Sequence, residues 1–306
     1  MKFVGIQEQI RTNNRKSVLL LLAFPLLILA SLFAIIYFLN VDEYRNYNLD
    51  LTVDRFLQSV PFVLVVVAIW FLIAYFGHSK MIAMATGAKT LERKTNMRVY
   101  NLVENLCMSV GMPMPKVQII ESNALNAYAS GLNKDNYTVT LTRGIIERLD
   151  DDELEGVIAH ELMHIRNNDV RLLVVSIIFV GIFAFAVEVA FRNILYGGGR
   201  RRDKDSGNLM IVVLIVSLVA YFFSLLFKFS LSRSREYMAD SGAAEMTRKP
   251  WALASALRKI SNNHQVDEVK NSEVKQMFIE NRSNGLMGLF TTHPPIDKRI
   301  NFLEQF

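Results

Sequence analysis

One cysteine, Cys107, occurs in 306 residues. That excludes a disulfide framework and any zinc site built from thiolates, and it fits a reducing compartment. An excess of one charge is also missing: 34 Lys and Arg stand against 29 Asp and Glu, a net +5 too diffuse for a nucleic-acid partner. No internal repeat is present, and no small-residue cleavage site follows the first apolar run before Asn40, so that run is not a cleaved signal peptide. Aromatics at 10% and charged residues at 21% exclude a disordered chain. The apolar share of 51% is close to that of soluble proteins and decides nothing as a total. Its distribution decides a great deal.

The apolar residues fall into four uncharged runs: Val18 to Leu39, Val60 to Phe76, Leu172 to Val187 and Leu209 to Phe227. A helix crossing a bilayer needs roughly 20 such residues. The first and fourth runs meet that length, the second reaches it through Phe56 and Leu57, and the third reaches it past Glu188 to Phe191. No polar stripe survives in the first two, so a buried helix of a soluble core does not describe them. Basic residues flank the first pair on one side, with Lys2, Arg11, Arg15 and Lys16 before it and Lys80, Lys89, Arg93, Lys94 and Arg98 after it. The positive-inside rule therefore puts the N-terminus and everything after Phe76 in the cytoplasm. The segment 192–208 resists this scheme, because it carries Arg192, Arg200, Arg201, Arg202 and Lys204 where a spanning pair would place an outside loop. Either the first pair overrides it, or the second pair is a shallow hairpin. Both versions return the chain to the same side by Lys228.

This partition gives four parts: 1–77, an N-terminal transmembrane helix pair; 78–170, the first part of a cytoplasmic domain; 171–229, a second hydrophobic pair; and 230–306, the second part of that domain. Within 78–170, Val99, Leu102, Val103, Leu106 and Val110 recur at helical spacing, and Gly111 with Pro113 ends the helix. Strand-like stretches follow at 116–121, 124–130 and 137–142, with a turn between the last two. Asp150 to Asp152 supply an N-cap and favourable charge for a helix to about Asn167. The last part reads as helical over 230–247, from Pro250 to Ile260, and after Pro295.

The helix from Asp151 holds His160-Glu161-Leu162-Met163-His164. Histidines four apart share a helix face, so both imidazoles reach one ion, and Glu161 beside them is placed to take a proton from attacking water. Imidazole pairs suit zinc, which in catalytic sites takes three protein ligands and leaves one position open. A third ligand is offered beyond the fourth run by Ser232 to Asp240, where Glu236 and Asp240 are spaced i, i+4. Glu236 either ligates the metal or pairs with Arg233 or Arg235 on a solvated face. Asp240 could accept the ring N–H of a liganding histidine. Cys107 sits in an amphipathic stretch and reads as structural rather than nucleophilic. His78 and His264 belong to no pattern and read as solvated.

Over nearly its whole length the chain resembles the HtpX-like membrane zinc metalloproteases, which share a superfamily with the CAAX prenyl endopeptidases. The resemblance rests on the N-terminal hydrophobic pair, on Asn123 to Gly131, on His160 to His164, on Ser232 to Asp240, and on Thr292-His293-Pro294-Pro295 followed by Arg299-Ile300. It implies a mainly α integral membrane protein in which two hydrophobic helix pairs accompany a zincin-type α+β catalytic domain. That domain has a small sheet and an HExxH active-site helix. It implies one Zn2+ per chain, bound by His160, His164 and Glu236, with Glu161 as general base and proton shuttle. Asn126, Ala127, Tyr128 and Ala129 would be an edge strand to which substrate adds through main-chain bonds. His293 would stabilise the oxyanion or position substrate; its other reading is a helix cap before Pro294.

The reaction so implied is endopeptidase hydrolysis of misfolded or damaged membrane proteins from the cytoplasmic side of a bacterial inner membrane. The partners are unfolded or membrane-protein polypeptides and the lipid bilayer, with no nucleic acid; the sequence does not give an oligomeric state. Cleavage of prenylated C-termini is the alternative, though those enzymes have more spanning helices than four runs provide. Cleavage within the bilayer conflicts with the polar flanks at 150–152 and 167–169. A metal transporter would need acidic or histidine residues inside the runs, where Glu188 alone offers itself. Intact Glu161 argues against an inactive scaffold.

Overall fold

The computed structural model describes residues 6–40, 48–196, 204–229, 234–262, 277–279 and 294–306. Its elements in chain order are α1 (Ile6–Leu39), α2 (Leu49–Thr86), β1 (Lys89–Thr90), α3 (Met97–Ser109), β2 (Lys116–Ile120), β3 (Ala127–Ser130) and β4 (Thr138–Thr142). They continue as α4 (Arg143–Arg148), α5 (Asp151–Arg166), α6 (Asp169–Tyr196), α7 (Lys204–Phe229), α8 (Ser234–Thr247), α9 (Pro250–Asn262) and α10 (Ile296–Leu303). Two compact units emerge. One is drawn from 17–76 and 175–228, the other from the residues before 17, from 77–174 and from those after 228.

The first unit is helical and apolar. Leu22–Leu39, Leu49–Thr86 and Asp169–Val189 are long and apolar enough to cross a membrane. In α7 the described apolar stretch is the shorter Ile211–Phe223. Pro25 and Pro61 lie inside α1 and α2, where neighbouring groups in a membrane protein satisfy the freed carbonyls. Large apolar side chains face outward, Phe62 at 73% exposure and Phe76 at 79%, a cost in water that lipid removes. Inside the unit Trp70 stacks on Phe185 and Phe24 meets Phe183. The end of α1 is tied to α2 by buried Asn40, which donates to Thr52 Oγ1 at 3.2 Å and accepts from Arg55 Nη1.

The second unit is a small mixed sheet packed with helices. Its strand order is β1-β2-β4-β3; β2 and β4 run parallel, with Val117 opposite Val139, and the other two pairs are antiparallel. The run of β4, Thr138 to Thr142, β-branched at every position but Leu141, is buried along its whole length, as a central strand covered on both faces requires. Helix α3 starts where Asn96 Oδ1 accepts the Val99 N–H and stops before Gly111, whose φ of 64° is the left-handed turn that releases the chain toward Pro113. It buries Val99, Val103, Leu106 and Cys107.

Helix α5 forms the centre. Asp150 and Glu153 close a capping box, satisfying two N-terminal donors reciprocally. Glu153 is itself buried and accepts from Ser255 Oγ and Lys259 Nζ, which pins α9 to the start of α5. Every residue of α5 from Gly156 to Met163 is buried, between β3 on one side and α8 and α9 on another. His78 is a correction to the sequence reading: it is 3% exposed, with Nε2 3.0 Å from Ser79 Oγ. His78 belongs to no sequence motif, yet it lies within α2 where packing buries it. His264 lies outside the described residues, as do Ser232, Arg233 and His293.

Candidate active site

His160 and His164 lie one turn apart on α5, as i, i+4 spacing demands, and their Nε2 atoms are 3.1 Å from each other. Their Nδ1 atoms point away, each to a carboxylate: His160 Nδ1 is 2.9 Å from Asp240 Oδ1 and His164 Nδ1 is 3.1 Å from Asp169 Oδ2. A carboxylate oxygen accepts, so both Nδ1 atoms donate. Both Nε2 lone pairs are then directed at the same small volume. Two facing lone pairs repel unless a cation lies between them. In a tetrahedral site with zinc–nitrogen bonds of 2.0–2.1 Å, two ring nitrogens stand about 3.3 Å apart, close to the separation found. Glu236 on α8 closes the group: Oε2 is 3.6 Å from His160 Nε2 and Oε1 is 3.6 Å from His164 Nε2. The ligand atoms of His160, His164 and Glu236 all lie within 4.8 Å of one another. The residues present fit a metal ion, and the donor set of two imidazoles and one carboxylate suits zinc.

Glu236 is not on a solvated face. Its side chain is buried against the histidines. What brings it there is close contact of α8 with α5. A Cβ on Gly242 would come within 2.3 Å of the Met163 Cε and 3.0 Å of its Cγ, so any side chain at 242 would have to displace the buried Met163 side chain that α5 presents to α8.

Asp240, four residues after Glu236 on α8, is fully buried and serves two partners. It accepts from His160, and it receives a bidentate pair from Arg299 on α10, Nε to Oδ2 at 2.9 Å and Nη2 to Oδ1 at 2.8 Å. Arg299 is fully buried too. Its Nη1 donates to the Ile279 carbonyl at 3.1 Å and lies 3.5 Å from Glu236 Oε2, and its Nη2 sits 3.3–3.4 Å from both ring nitrogens of His160. A buried guanidinium is tolerable only where paired in this way. In the sequence Arg299 stands only in a C-terminal motif and Asp169 only in a polar flank. One signal for Arg299 was available: it falls on the apolar stripe of α10 with Ile296, Ile300 and Leu303, all buried.

The electrostatics follow. Burial and the Arg299 charge oppose a proton on His160, but hydrogen bonds to Asp240 and Glu236 and the Asp240 charge outweigh them, raising it from 6.5 to about 9. The same carboxylates attract a metal dication, which competes for the site with that proton. Burial would raise the Asp240 carboxyl; the Arg299 charge and hydrogen bonds from His160 and Arg299 hold it below the ordinary aspartate range. Glu161, also buried, goes the other way. Burial raises it and Glu236 adds to this, against the pull of His160, His164 and Arg299. A carboxylate raised in this way is a stronger base than a solvated one.

Among the described residues β3 is the last strand in the sheet order, so 127–130 form an edge there. It is not bare. Ala127 to Ser130 are buried, the Ile279 N–H donates to the Ala127 carbonyl at 2.8 Å, and Phe278 packs edge-on against Tyr128. The Asn126 side chain accepts from Ala127 N, and the Tyr128 hydroxyl lies 3.0 Å from Thr86 Oγ1. Thr142 N donates to Asn126 O; by antiparallel alternation Ala127 and Ala129 then turn their main-chain groups outward.

The profile of peptidase family M48 matches residues 93–306, a stretch holding every site residue named above. The chain is 52% identical over 322 aligned positions to a protease HtpX homolog of Bacteroides fragilis, covering all of both chains. It is 36% identical over 304 positions to a protease HtpX homolog of Dictyoglomus thermophilum, covering 99% of this chain and 95% of that one. Among solved structures, the crystal structure of S. mikatae Ste24p is similar with a TM-score of 0.49 at 20% identity, covering 81% of this chain and 58% of that one.

Proposed function

The chain belongs to peptidase family M48, and from that premise we propose that it is a membrane-anchored endopeptidase holding one Zn2+ on His160, His164 and Glu236. We further propose that it cuts misfolded or damaged membrane proteins at the cytoplasmic face of a bacterial inner membrane. The observation that carries the metal assignment is the pairing of both histidines through Nδ1 with carboxylates while both Nε2 atoms, 3.1 Å apart, face Glu236.

When bound, zinc supplies Lewis-acid polarisation of the scissile carbonyl and acidifies water. The chain's own residues do the rest. Glu161 accepts the proton of the attacking water and returns it to the leaving amine, and its raised affinity for that proton suits both directions of transfer. Asp240 keeps His160 oriented, and Arg299 holds Asp240 ionised in a dry site. Extended substrate would add to the outward side of β3 at Ala129, beyond the carbonyl of Ala127 that Ile279 occupies. Main-chain pairing carries no side-chain specificity, which suits a protease acting on unfolded polypeptide. The helices long and apolar enough to cross a membrane would hold the site near membrane-bound substrate.

Metal analysis of the full-length protein in detergent tests the ligand set. One zinc per chain is expected for the wild type. Glu236→Gln should retain less than a tenth of it after dialysis against a weak chelator. Equal zinc in both proteins would remove Glu236 from the site.

A further inference from the structure

A further carboxylate reaches the site from a different helix, and neither the HExxH pattern nor Glu236 and Asp240 accounts for it. Asp169 is the first residue of α6, is 4% exposed, and lies 3.1 Å from His164 Nδ1. Continued helix could not put it there. At 100° per residue, a position five beyond His164 would point about 140° away from it. The chain instead breaks between α5 and α6. Asn167 N donates to the Met163 and Ile165 carbonyls and ends α5; Asn168 then takes φ 59°; Leu172 N donates back to the Asn168 carbonyl and starts α6. Asparagine is among the few residues that enter the left-handed region readily. Asn168 is further tied by the Tyr137 hydroxyl, which donates to Oδ1 at 3.3 Å, and by Nδ2, which donates to Asn14 Oδ1 at 3.3 Å. The break folds Asp169 back onto the ring of His164.

We propose that Asp169 is a positioning residue for metal capture. Resting on the zinc reading above, it holds the Nδ1–H of His164 so that Nε2 faces the ion, as Asp240 does for His160. The site then has one orienting carboxylate per histidine. One comes from α8. The other comes from the opening residue of α6, whose Asp169–Val189 stretch is long and apolar enough to cross a membrane. Metal retention therefore depends on the α5–α6 joint as well as on the ligands themselves.

The competing explanation is structural, since an aspartate in the first turn of a helix also favours the helix dipole. Zinc affinity of the full-length protein in detergent, measured by competition with a chromogenic chelator, separates the two. Loss of the partner of a ligating histidine typically weakens metal binding about 10–100-fold. That loss is expected for Asp169→Asn, with the unfolding temperature of the zinc-free protein unchanged. Asp169→Glu, which restores the carboxylate, should recover part of the affinity, and it keeps the test open if the asparagine variant does not fold. Asn168→Gly, which keeps the left-handed joint, should bind zinc within about twofold of wild type on the same footing. Unchanged affinity in Asp169→Asn, or a lowered zinc-free unfolding temperature with affinity intact, would overturn the proposal. A wild-type protein that binds no zinc would instead overturn the metal reading on which it rests.

Discussion

On the proposed zinc reading, a proton and a metal compete for the same lone pair of His160. In the metal-free protein its affinity for a proton is raised from 6.5 to about 9 by Asp240 and Glu236. A group raised on folding adds stability that is complete below its unfolded value and is lost as pH climbs through its folded value. The unfolding temperature of chelator-treated protein should therefore fall between about pH 6.5 and pH 9. Zinc affinity should move oppositely, rising with pH over the same window as the proton leaves. Calorimetry with and without zinc at three pH values checks both signs, and a metal-free protein that gains stability toward pH 9 would contradict the account. At this scale the motif made His160, Glu161 and His164 legible, because a helix period alone brings i and i+4 together. Arg299 and Asp169 were not legible. Their partners sit on other elements or across a break in the helix; the apolar stripe of α10 marks Arg299 as core-facing without naming what it meets, and no local pattern ties Asp169 to His164.

Elements place these residues by how closely they approach. The seam between α5 and α8 admits only a hydrogen at Gly242, with Met163 filling the space opposite. Met163 is 1% exposed and has little room to yield. Gly242→Ala should therefore cost about 1–3 kcal/mol by overpacking, and it should weaken zinc binding by moving Glu236 outward. Thermal unfolding and chelator competition on the same sample would show both effects together; a variant as stable as wild type with full zinc affinity would show that the seam is looser than the geometry indicates. Most elements could be read from the chain. Asp150 and Pro250 mark helix starts, Gly111 marks a stop, and Val, Ile and Thr mark β2 and β4. The occupant of the β3 edge could not. Ile279 meets Ala127 across more than 150 positions of chain, and such a pairing has no local periodicity or turn signal.

At the scale of the whole molecule, the chain interleaves two kinds of surface. Residues 17–76 and 175–228 form the apolar unit, and the site residues fall in 77–174 and after 228. His160 and His164 are thus separated in sequence from Glu236 by α6 and α7, and one site is assembled from both sides of that insertion. The topology of the insertion is directly measurable. Cys107 is 2% exposed, and burial raises its thiol to about 11, so it should contribute little background to thiol labelling. With α6 long and apolar enough to cross, Arg201→Cys should react with an impermeant reagent only from the side opposite residues 78–170. Labelling from the same side would make α6 and α7 a hairpin that does not cross. The central claim is that Glu161 acts as the base of a zinc peptidase, and its most direct test is cleavage of casein by the detergent-solubilised full-length protein before and after Glu161→Gln. The account predicts that the variant keeps its zinc while cleavage falls by a factor of about 100 or more; cleavage at the wild-type rate would contradict it.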